Sequence, residues 1–432
     1  MKFYIISILC FAGWLSMLAE TPVLQIFDGK DYDPVDWEEI ENITYDSSDG
    51  LVLDLGNGTK KNIIFSSGLN IPSGETLPLI EIFTDEYMEE IPNKTTYQEA
   101  SINIKGWGKE KDFNEKVTIK GRGNTSWMFP KKPYRLKFNK KISICGLPKA
   151  KSYVLLANYT DASLIQNALA FKLGQMLELP YTNESVPVDV KLNGIYKGSY
   201  LLTNKPGINA GSVDIDEDNS VMWELDIAYD EEYKFRSPIL DLPVMLSDPE
   251  MDEAAFEEWK ADFIAMEEAA VNYNAAEFVD MDLFARYYLV YEIMKNSEIG
   301  WPKSVKLFKT KGQKYIFGPL WDFDTAMGKV WNGPSYTTTS INERVWKNLL
   351  FCYLEDDPIH QEAIVRYLGE IKSRLPEILD FIDDYADRIR NSAIRNQTVW
   401  PESEDFDLSV MKMKDWLQMR FEALEVLYPP IP

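Results

Sequence analysis

Two carboxylates stand one residue apart inside an otherwise apolar stretch. They are Asp322 and Asp324 of GPLWDFDTAMG, residues 318 to 328, and Trp321 and Phe323 flank the first of them. A buried carboxylate without a partner costs several kcal/mol or shifts its pKa far from the usual range. We therefore expect a cation at this pair, either a divalent metal or a basic side chain, and its identity should indicate the chemistry.

A polar loop and a predicted hairpin precede the two acids. The helical stretch DLFARYYLVYEIMK is followed by NSEIGWPKS, which offers Asn296 and Glu298. Residues 305–308 then predict a strand, Lys311-Gly312 a turn and residues 315–317 a return strand. This order is typical of protein-kinase-like phosphotransferases, in which one acid positions the attacking hydroxyl and an Asp before Phe holds magnesium. In that chemistry a lysine on a strand of the small lobe contacts the phosphates.

Alternating apolar patterns predict strands in the first half of the chain. SVPVDVKLNGIYKGSYLLT predicts the clearest hairpin, with an Asn-Gly pair as its two-residue turn. KKPYRLKF alternates so that Arg135 and Lys137 share its polar face. Between these strands, DASLIQNALAFKLGQMLEL predicts a helix capped by Asp161 or Ser163.

The second half is predicted to be mainly helical. Apolar residues recur there at helical spacing: Phe256, Trp259, Phe263 and Met266; Ile364, Leu368, Ile371 and Leu375; Ile378, Ile382, Tyr385 and Ile389. We expect these residues in the core, and Pro376 should kink or split the last segment.

The first residues resemble an export signal. Lys2 precedes the apolar run FYIISILCFAGWLSMLA, and Ala19 is a plausible cleavage position, so residues 1–19 predict a signal peptide. The run is short for a membrane anchor, and no later stretch has the apolar length of a transmembrane helix. We expect a secreted or cell-surface protein with no stable membrane insertion after cleavage. Residues 20–75 are acidic and turn-rich and predict a small β-rich extension.

Composition excludes several kinds of site. Cys10 leaves with the predicted signal peptide, so Cys145 and Cys352 remain, either paired or free. The single histidine, His360, stands beside acids and is predicted to lie on the surface. One histidine excludes histidine-based triads and zinc sites with several His ligands. The net charge of −24 argues against binding a nucleic-acid backbone and fits either solubility alone, a basic partner or divalent cations.

Successive blocks of the chain resemble the signature segments of the spore-coat protein H (CotH) kinase family. In order they are IKGRGNTSWMFPKKPYRLKF, YVLLANYTDASLIQNALAFKLG, VKLNGIYKGSYLLT, WPKSVKLFK, GPLWDFDTAMG and RIRNSAIRNQTVWP, from about residue 76 to 425. The resemblance implies an α+β, atypical protein-kinase-like fold with two lobes, a small β-rich lobe at about 76–225 and a helical lobe at about 226–430. It also implies an exported Ser/Thr kinase that uses ATP with Mg²⁺ or Mn²⁺. Its protein substrate would be basic and rich in serine.

The resemblance also assigns site residues by position. Asp322 or Asp324 would hold the metal together with Asn296, and Asp322 and Glu298 would be catalytic. Lys132 or Lys137 would meet the phosphates.

Among the neighbouring lysines we expect Lys137 rather than Lys131 at the phosphates, because Lys131 directly follows Pro130 and is predicted to be solvated. Arg122 and Asn124 belong to GRGNTSW, which is either a nucleotide-binding turn or a plain tight turn. Arg135 and Glu224 complete the predicted cofactor-binding set.

Two departures from the family pattern leave other functions open. Glu298 stands where the family usually has Asp, and Asn204 stands where many relatives have Glu. One alternative is therefore a catalytically weak or inactive kinase-like adhesin or binding module. A second is a glycoside hydrolase, which would need Glu224 or another acid to complete a carboxylate pair.

Overall fold

The computed structural model describes residues 77–106, 113–329, 335–401 and 404–430, and the backbone of five strands before residue 64. The predicted signal peptide lies outside the described residues. The chain separates into two compact units, residues 1–72 and 73–432. The first contains the antiparallel pair Val23–Phe27 (β1) and Tyr32–Asp36 (β2), and a sheet of Ile40–Asp46 (β3), Gly50–Leu55 (β4) and Lys60–Ile63 (β5).

A closed barrel begins the second unit. Its strands are Leu79–Thr84 (β6), Gln98–Lys105 (β7), Phe113–Gly121 (β8), Tyr134–Ile142 (β9), Ala150–Leu156 (β10), Ser185–Leu192 (β11) and Ile195–Asn204 (β12). They close in the order β10-β12-β11-β6-β7-β8-β9, with β6 and β11 parallel and the other neighbours antiparallel. Two helices lie between the strands, Thr125–Met128 (α1) and Gln166–Met176 (α2).

A second sheet and a set of helices complete the unit. The sheet has the order β14-β15-β13-β16-β17 and consists of Ser220–Leu225 (β13), Lys234–Arg236 (β14), Pro243–Asp248 (β15), Val305–Thr310 (β16) and Ile316–Phe317 (β17). The helices are Glu253–Val271 (α3), Met281–Met294 (α4), Leu349–Glu355 (α5), Pro358–Ser373 (α6), Leu375–Val399 (α7) and Phe406–Leu427 (α8). Among the described residues, no helix combines the length and apolar character needed to cross a membrane.

Local patterns predicted some of these elements, among them β9, the hairpin of β11 and β12, helix α2 and the strands β16 and β17. The mixed α+β class is confirmed, and the chain divides at Arg374, before Pro376, into α6 and α7. β13, at residues 220–225, ends at the predicted boundary between the two lobes. It pairs with β15 and β16 and therefore belongs to the second sheet.

The predicted Asn-Gly hairpin also forms hydrogen bonds that help to close the barrel. Asn193 and Gly194 have φ values of 48° and 84°, as a tight two-residue turn between β11 and β12 requires. The backbone N–H of Asn193 donates to the carbonyl of Ile82 at 2.8 Å, and its side-chain oxygen accepts from the N–H of Thr84 at 2.9 Å. One residue thus makes the turn and ties it to the first strand of the barrel.

Two large hydrophobic cores support these parts. One fills the barrel and contains Ile80, Leu136 and Leu202. The other joins the second sheet to the helices and includes α2, whose Leu169 and Phe171 are fully buried there. The helix predicted between the barrel strands therefore packs in the core of the helical part, next to α4.

His360 is buried, so its predicted surface position is wrong. Its side chain is 2 % exposed and packs against Phe284 and Tyr288 at ring distances of 5.2 and 5.6 Å. Asp357, before it, caps α6 and accepts from the N–H of Ile359, and the helix places the imidazole in the core. Cys145 and Cys352 are free thiols.

We expect stability to depend on pH through His360. Burial, and then the nearby charges of Lys347 and Arg344, lower its pKa from 6.5 to about 3. Below pH 6.5 the unfolded chain binds a proton at this histidine that the folded chain does not bind. The contribution of neutral, buried His360 to the free energy of unfolding is therefore full above pH 6.5 and is lost as the pH falls towards 3. In urea unfolding between pH 6 and 4, the free energy of unfolding should fall less steeply with pH for His360→Leu than for the wild type. The difference in slope should be about 1.4 kcal/mol per pH unit. Equal slopes for the two proteins would contradict this.

Candidate active site

A cavity of about 700 Å³ lies between the barrel and the helical part. The described residues that line it include seven basic and seven acidic side chains: Lys94, Lys120, Arg122, Arg135, Lys205, Lys303 and Lys306, and Glu224, Asp226, Asp230, Glu231, Glu298, Asp322 and Asp324. Such a concentration of both charges in one cavity is unusual for a purely structural cleft, and it suits a ligand that carries phosphates and cations.

The Asp-Phe-Asp segment is held from several sides. Phe323 is fully buried, and its N–H donates to Asn167 Oδ1 of α2 at 2.8 Å. Thr160 Oγ1 donates to the carbonyl of Asp324 at 2.8 Å. Asp322 has φ 65°, a backbone conformation that residues other than glycine adopt rarely and that clusters at functional sites. The fold thus fixes both carboxylates at the cavity.

The loop before the hairpin is tied to the same segment. Asn296 is 1 % exposed, its Nδ2 donates to the carbonyl of Asp322 at 3.0 Å, and its Oδ1 accepts from the N–H of Glu298 at 3.0 Å. Asn296 was predicted as a metal ligand, but it is not among the cavity-lining residues and both ends of its amide bind backbone. It positions Asp322 and Glu298 relative to each other.

Glu298 and Lys303 form an ion pair in the cavity. Lys303 Nζ lies 3.1 Å from Glu298 Oε1, and Glu298 Oε2 is buried. Burial and the charge of Asp322 raise the pKa of Glu298 to about 7, against the lowering effect of Lys303. Burial, with the charges of Asp322 and Glu298, also raises the pKa of Asp324 to about 8. The three acids repel one another, and this repulsion favours a cation among them.

The barrel contributes a row of basic side chains. Lys120 of β8 stands opposite Arg135 of β9, whose Nε donates to Ser152 Oγ of β10 at 2.9 Å. Arg122, directly after β8, lies 5.3 Å from the centre of the Trp321 ring. Burial lowers the pKa of Arg122, against the opposing charges of Asp322, Glu224 and Asp324. The predicted roles of Arg122 and Arg135 therefore fall on residues that line the cavity.

A lysine on the second sheet was missed by the sequence analysis. Glu224 and Lys306 stand opposite each other on β13 and β16, and Lys306 Nζ lies 2.6 Å from Glu224 Oε2. Lys205, after β12, lies near both, and burial with the charges of Arg135 and Lys306 lowers its pKa to about 8. Asn204 is buried and binds the carbonyls of Pro148 and Gly211 instead of a site lysine. Among the acids that line the cavity, Glu224 pairs with Lys306, as Glu298 pairs with Lys303.

The structure separates the lysines near β9 from the cavity. Lys137 is exposed and does not belong to the described lining, and Lys132 Nζ donates to the carbonyl of Trp127 at 2.7 Å. The prediction that Lys131 is solvated is wrong, since it is 1 % exposed and donates to the carbonyl of Ser199. Asn124 lines the cavity and accepts from Lys94 Nζ at 2.8 Å.

The carboxylates of the cavity suit a metal ion that is also bound by ligands from outside the protein. In the described part of the chain, no group of three or more His, Cys, Asp or Glu side chains is arranged to hold a metal ion by itself. Mg²⁺ is commonly bound by one or two carboxylates together with substrate phosphates and water. Asp322 and Asp324 provide such a pair beside basic side chains that suit phosphate, so the donor set fits Mg²⁺ or Mn²⁺ bound with a nucleotide.

The comparison with known families agrees with this arrangement. The family model described as CotH kinase protein matches residues 119–424, which is 306 of the 432 residues. The chain belongs to the CotH kinase family. A search of curated proteins found no match.

The CotH match covers most of the site. Its range begins within β8 and ends within α8, so it includes Arg122, Arg135 and Lys306 as well as Glu298 and both acids of the Asp-Phe-Asp segment. Lys94, at the edge of the cavity, lies outside it. The sequence could have suggested Lys306, because VKLFK follows the polar loop directly, but its partner Glu224 is 82 residues earlier in the chain.

We expect Lys306 to contribute more than Lys137 to nucleotide binding. A charge-assisted hydrogen bond contributes roughly 1.5–3 kcal/mol, so Lys306→Met should weaken ATP binding about 10- to 100-fold in calorimetric titrations with Mg²⁺. Lys137→Ala, the matched control, should change the affinity by less than about twofold. Lys306→Met leaves the carboxylate of Glu224 without its partner, which could lower stability. The double variant Glu224→Gln/Lys306→Met removes that carboxylate, so weak ATP binding that persists in it reports the loss of the lysine. A larger effect for Lys137→Ala would contradict this assignment.

Proposed function

We propose that this chain is an exported protein kinase that transfers phosphate from ATP to serine or threonine in a protein, with Mg²⁺ or Mn²⁺. The observation that carries the proposal is the cavity in which Asp322, Asp324 and Glu298 face basic side chains of the barrel and the second sheet. Membership in the CotH kinase family supports a kinase-like protein. Export is proposed from the charged and apolar pattern of residues 1–19.

In this proposal, acidic side chains of the cavity bind the metal and basic side chains bind the phosphates. Bound ATP supplies the transferable phosphoryl group, and the divalent metal supplies positive charge beside the phosphate oxygens. Asp322 and Asp324 would hold the metal. Arg122, Arg135 and Lys306 would bind phosphate oxygens, with Lys306 fixed in place by Glu224.

Glu298 is the acid placed to act on the acceptor. Its carboxylate lines the cavity together with Asp322, and in this role it would take the proton of a serine or threonine hydroxyl bound there. Lys303 binds the other oxygen and keeps the carboxylate oriented. Asn296 fixes the backbone of the loop against Asp322.

Thermal melting tests the proposal directly. A ligand present at 100 times its dissociation constant stabilises a protein by about 2.7 kcal/mol, so ATP with Mg²⁺ or Mn²⁺ should raise the melting temperature clearly. Radiolabelled ATP should then label a serine-rich basic protein, and acid hydrolysis should identify phosphoserine or phosphothreonine. Absence of both the shift and the labelling would overturn the proposal.

A non-catalytic binding module is the second candidate. The observation that favours it is the ion pair between Glu298 and Lys303, which engages the acid that a kinase needs as a base. Glu is also one methylene longer than the family Asp, and a displacement of about 1 Å lowers turnover roughly a hundredfold. ATP binding without phosphate transfer, in the wild type and in Glu298→Asp, would select this candidate. The hydrolase reading loses support, because Glu224, the acid it named, is paired with Lys306.

A further inference from the structure

Two tryptophan side chains stand exposed beside the proposed active site. Trp301 is 63 % exposed and Trp346 is 50 % exposed, and their ring centres are 4.5 Å apart at an interplanar angle of 74°. Single exposed apolar residues are ordinary, whereas paired tryptophans on a surface are typical of binding sites.

The pair is fixed to the loop that carries Glu298. A Cβ atom at Gly300 would lie 2.5 Å from a ring carbon of Trp346, so the indole packs directly on the loop backbone. Asn348 Nδ2 also donates to the carbonyl of Ile299 at 2.8 Å. Trp301 follows Glu298 by three residues, which places its Cα within about 10 Å of the Cα of Glu298.

Two exposed aliphatic residues flank the pair. Ile227 is 53 % exposed, and its N–H donates to the carbonyl of Pro302 at 2.9 Å, next to Trp301. Leu349 is 57 % exposed and begins α5, three residues after Trp346. We call Ile227, Trp301, Trp346 and Leu349 the tryptophan patch.

Three consecutive acids follow Ile227, one member of the patch, in the chain. Asp230, Glu231 and Glu232 are exposed, and the first two line the cavity. Glu231 also acts through its charge on Lys120 of the cavity. An occupant of the patch that carried a basic group would therefore meet complementary charge on the side of the cavity.

We propose that the tryptophan patch binds the acceptor segment of a protein substrate. The segment carries an apolar side chain about two to four residues from the phosphorylated hydroxyl, since an extended chain spans roughly 3.3–3.6 Å per residue. A basic side chain of the same segment faces Asp230 and Glu231. This inference rests on the proposed kinase function and adds to it the class of sequence that is recognised.

Peptide binding without nucleotide tests the inference. Fluorescein-labelled peptides would carry one serine, a leucine three residues away and an arginine, with matched peptides in which leucine or arginine is alanine. In anisotropy titrations, Trp301→Ala should raise the dissociation constant of the leucine peptide about 10- to 30-fold. It should not weaken the alanine peptide further, since the two changes remove the same contact. Tyr273→Ala, a 66 % exposed aromatic outside the cavity lining, is the matched control.

The results of these titrations either support or overturn the proposed role of the tryptophan patch. Trp301 is largely exposed, so its replacement should leave the melting temperature and the shift with ATP and metal unchanged. No binding of any peptide, equal binding by wild type and Trp301→Ala, or binding of oligosaccharides that depends on Trp301 would overturn the inference. Because binding is measured without ATP, failure of the kinase proposal would show separately, as absence of the nucleotide shift.

Discussion

Asp322→Asn should abolish both the metal-dependent ATP shift and phosphate transfer while leaving the fold intact. The change keeps the size of the side chain and the backbone contact with Asn296, but it removes the charge that would bind the metal. The lost stabilisation in melting experiments should be about 2.7 kcal/mol at 100 times the wild-type dissociation constant. Turnover should fall at least about 1,000-fold, since metal charge supplies several kcal/mol at such a transition state.

Two further variants define what Asp322 does. Asp241→Asn changes an exposed acid outside the cavity lining, so it should have no effect on either measurement. Glu298→Gln should retain the ATP shift and reduce turnover by about 10²- to 10⁴-fold, as expected for a lost general base. An unchanged metal-dependent shift in Asp322→Asn would show that the metal is held elsewhere.

Arg420→Met should destabilise the protein by about 3–5 kcal/mol. Arg420 and Glu292 are both fully buried, and Arg420 lies 2.7 Å from Glu292 Oε2. The same carboxylate accepts from Tyr288 and Tyr428 at 2.8 Å, so loss of the guanidinium leaves a buried charge with neutral donors only. Chemical denaturation with urea measures the change in the free energy of unfolding.

Two further variants show whether the effect comes from an unpaired buried charge. Glu292→Met/Arg420→Met removes both charges and should be more stable than Arg420→Met alone, because no unpaired ion remains. Lys414→Met breaks an exposed pair with Asp383 and should change stability by less than about 1 kcal/mol. If Arg420→Met is no less stable than Lys414→Met, the buried pair is not the support of α8 that its contacts indicate.

Elements that depend on short-range patterns were predictable. The turn at Asn193-Gly194, the strands beside it and the division of the helix at Pro376 follow from residues within one segment, and the structure agrees. The acids of the Asp-Phe-Asp segment were recognised for the same reason, since an unpaired charge in an apolar run is visible without the fold.

Features that depend on distant segments were not predictable. Lys131 was misjudged because its environment is formed by Ser199 and Tyr200, almost 70 residues later in the chain. Lys306 was missed because only the pairing of β13 with β16 places it against Glu224. Alternation correctly placed Arg135 and Lys137 on one face, but it could not show that the cavity includes only the first.

The bond between Asn193 and the end of β6 has a consequence for folding. β6 pairs in parallel with β11, and Leu79 stands opposite Asp189, so the barrel joins segments 110 residues apart. During synthesis, β6 to β9 can pair with their neighbours, while the free edge of β6 remains exposed until β11 is available. Contacts of such long range slow folding and leave unpaired edges open to association. Asn193→Ala removes the side-chain bonds to Thr84 and Met88 and places alanine at a positive φ, so it should lower the free energy of unfolding and also increase light scattering from aggregates during refolding.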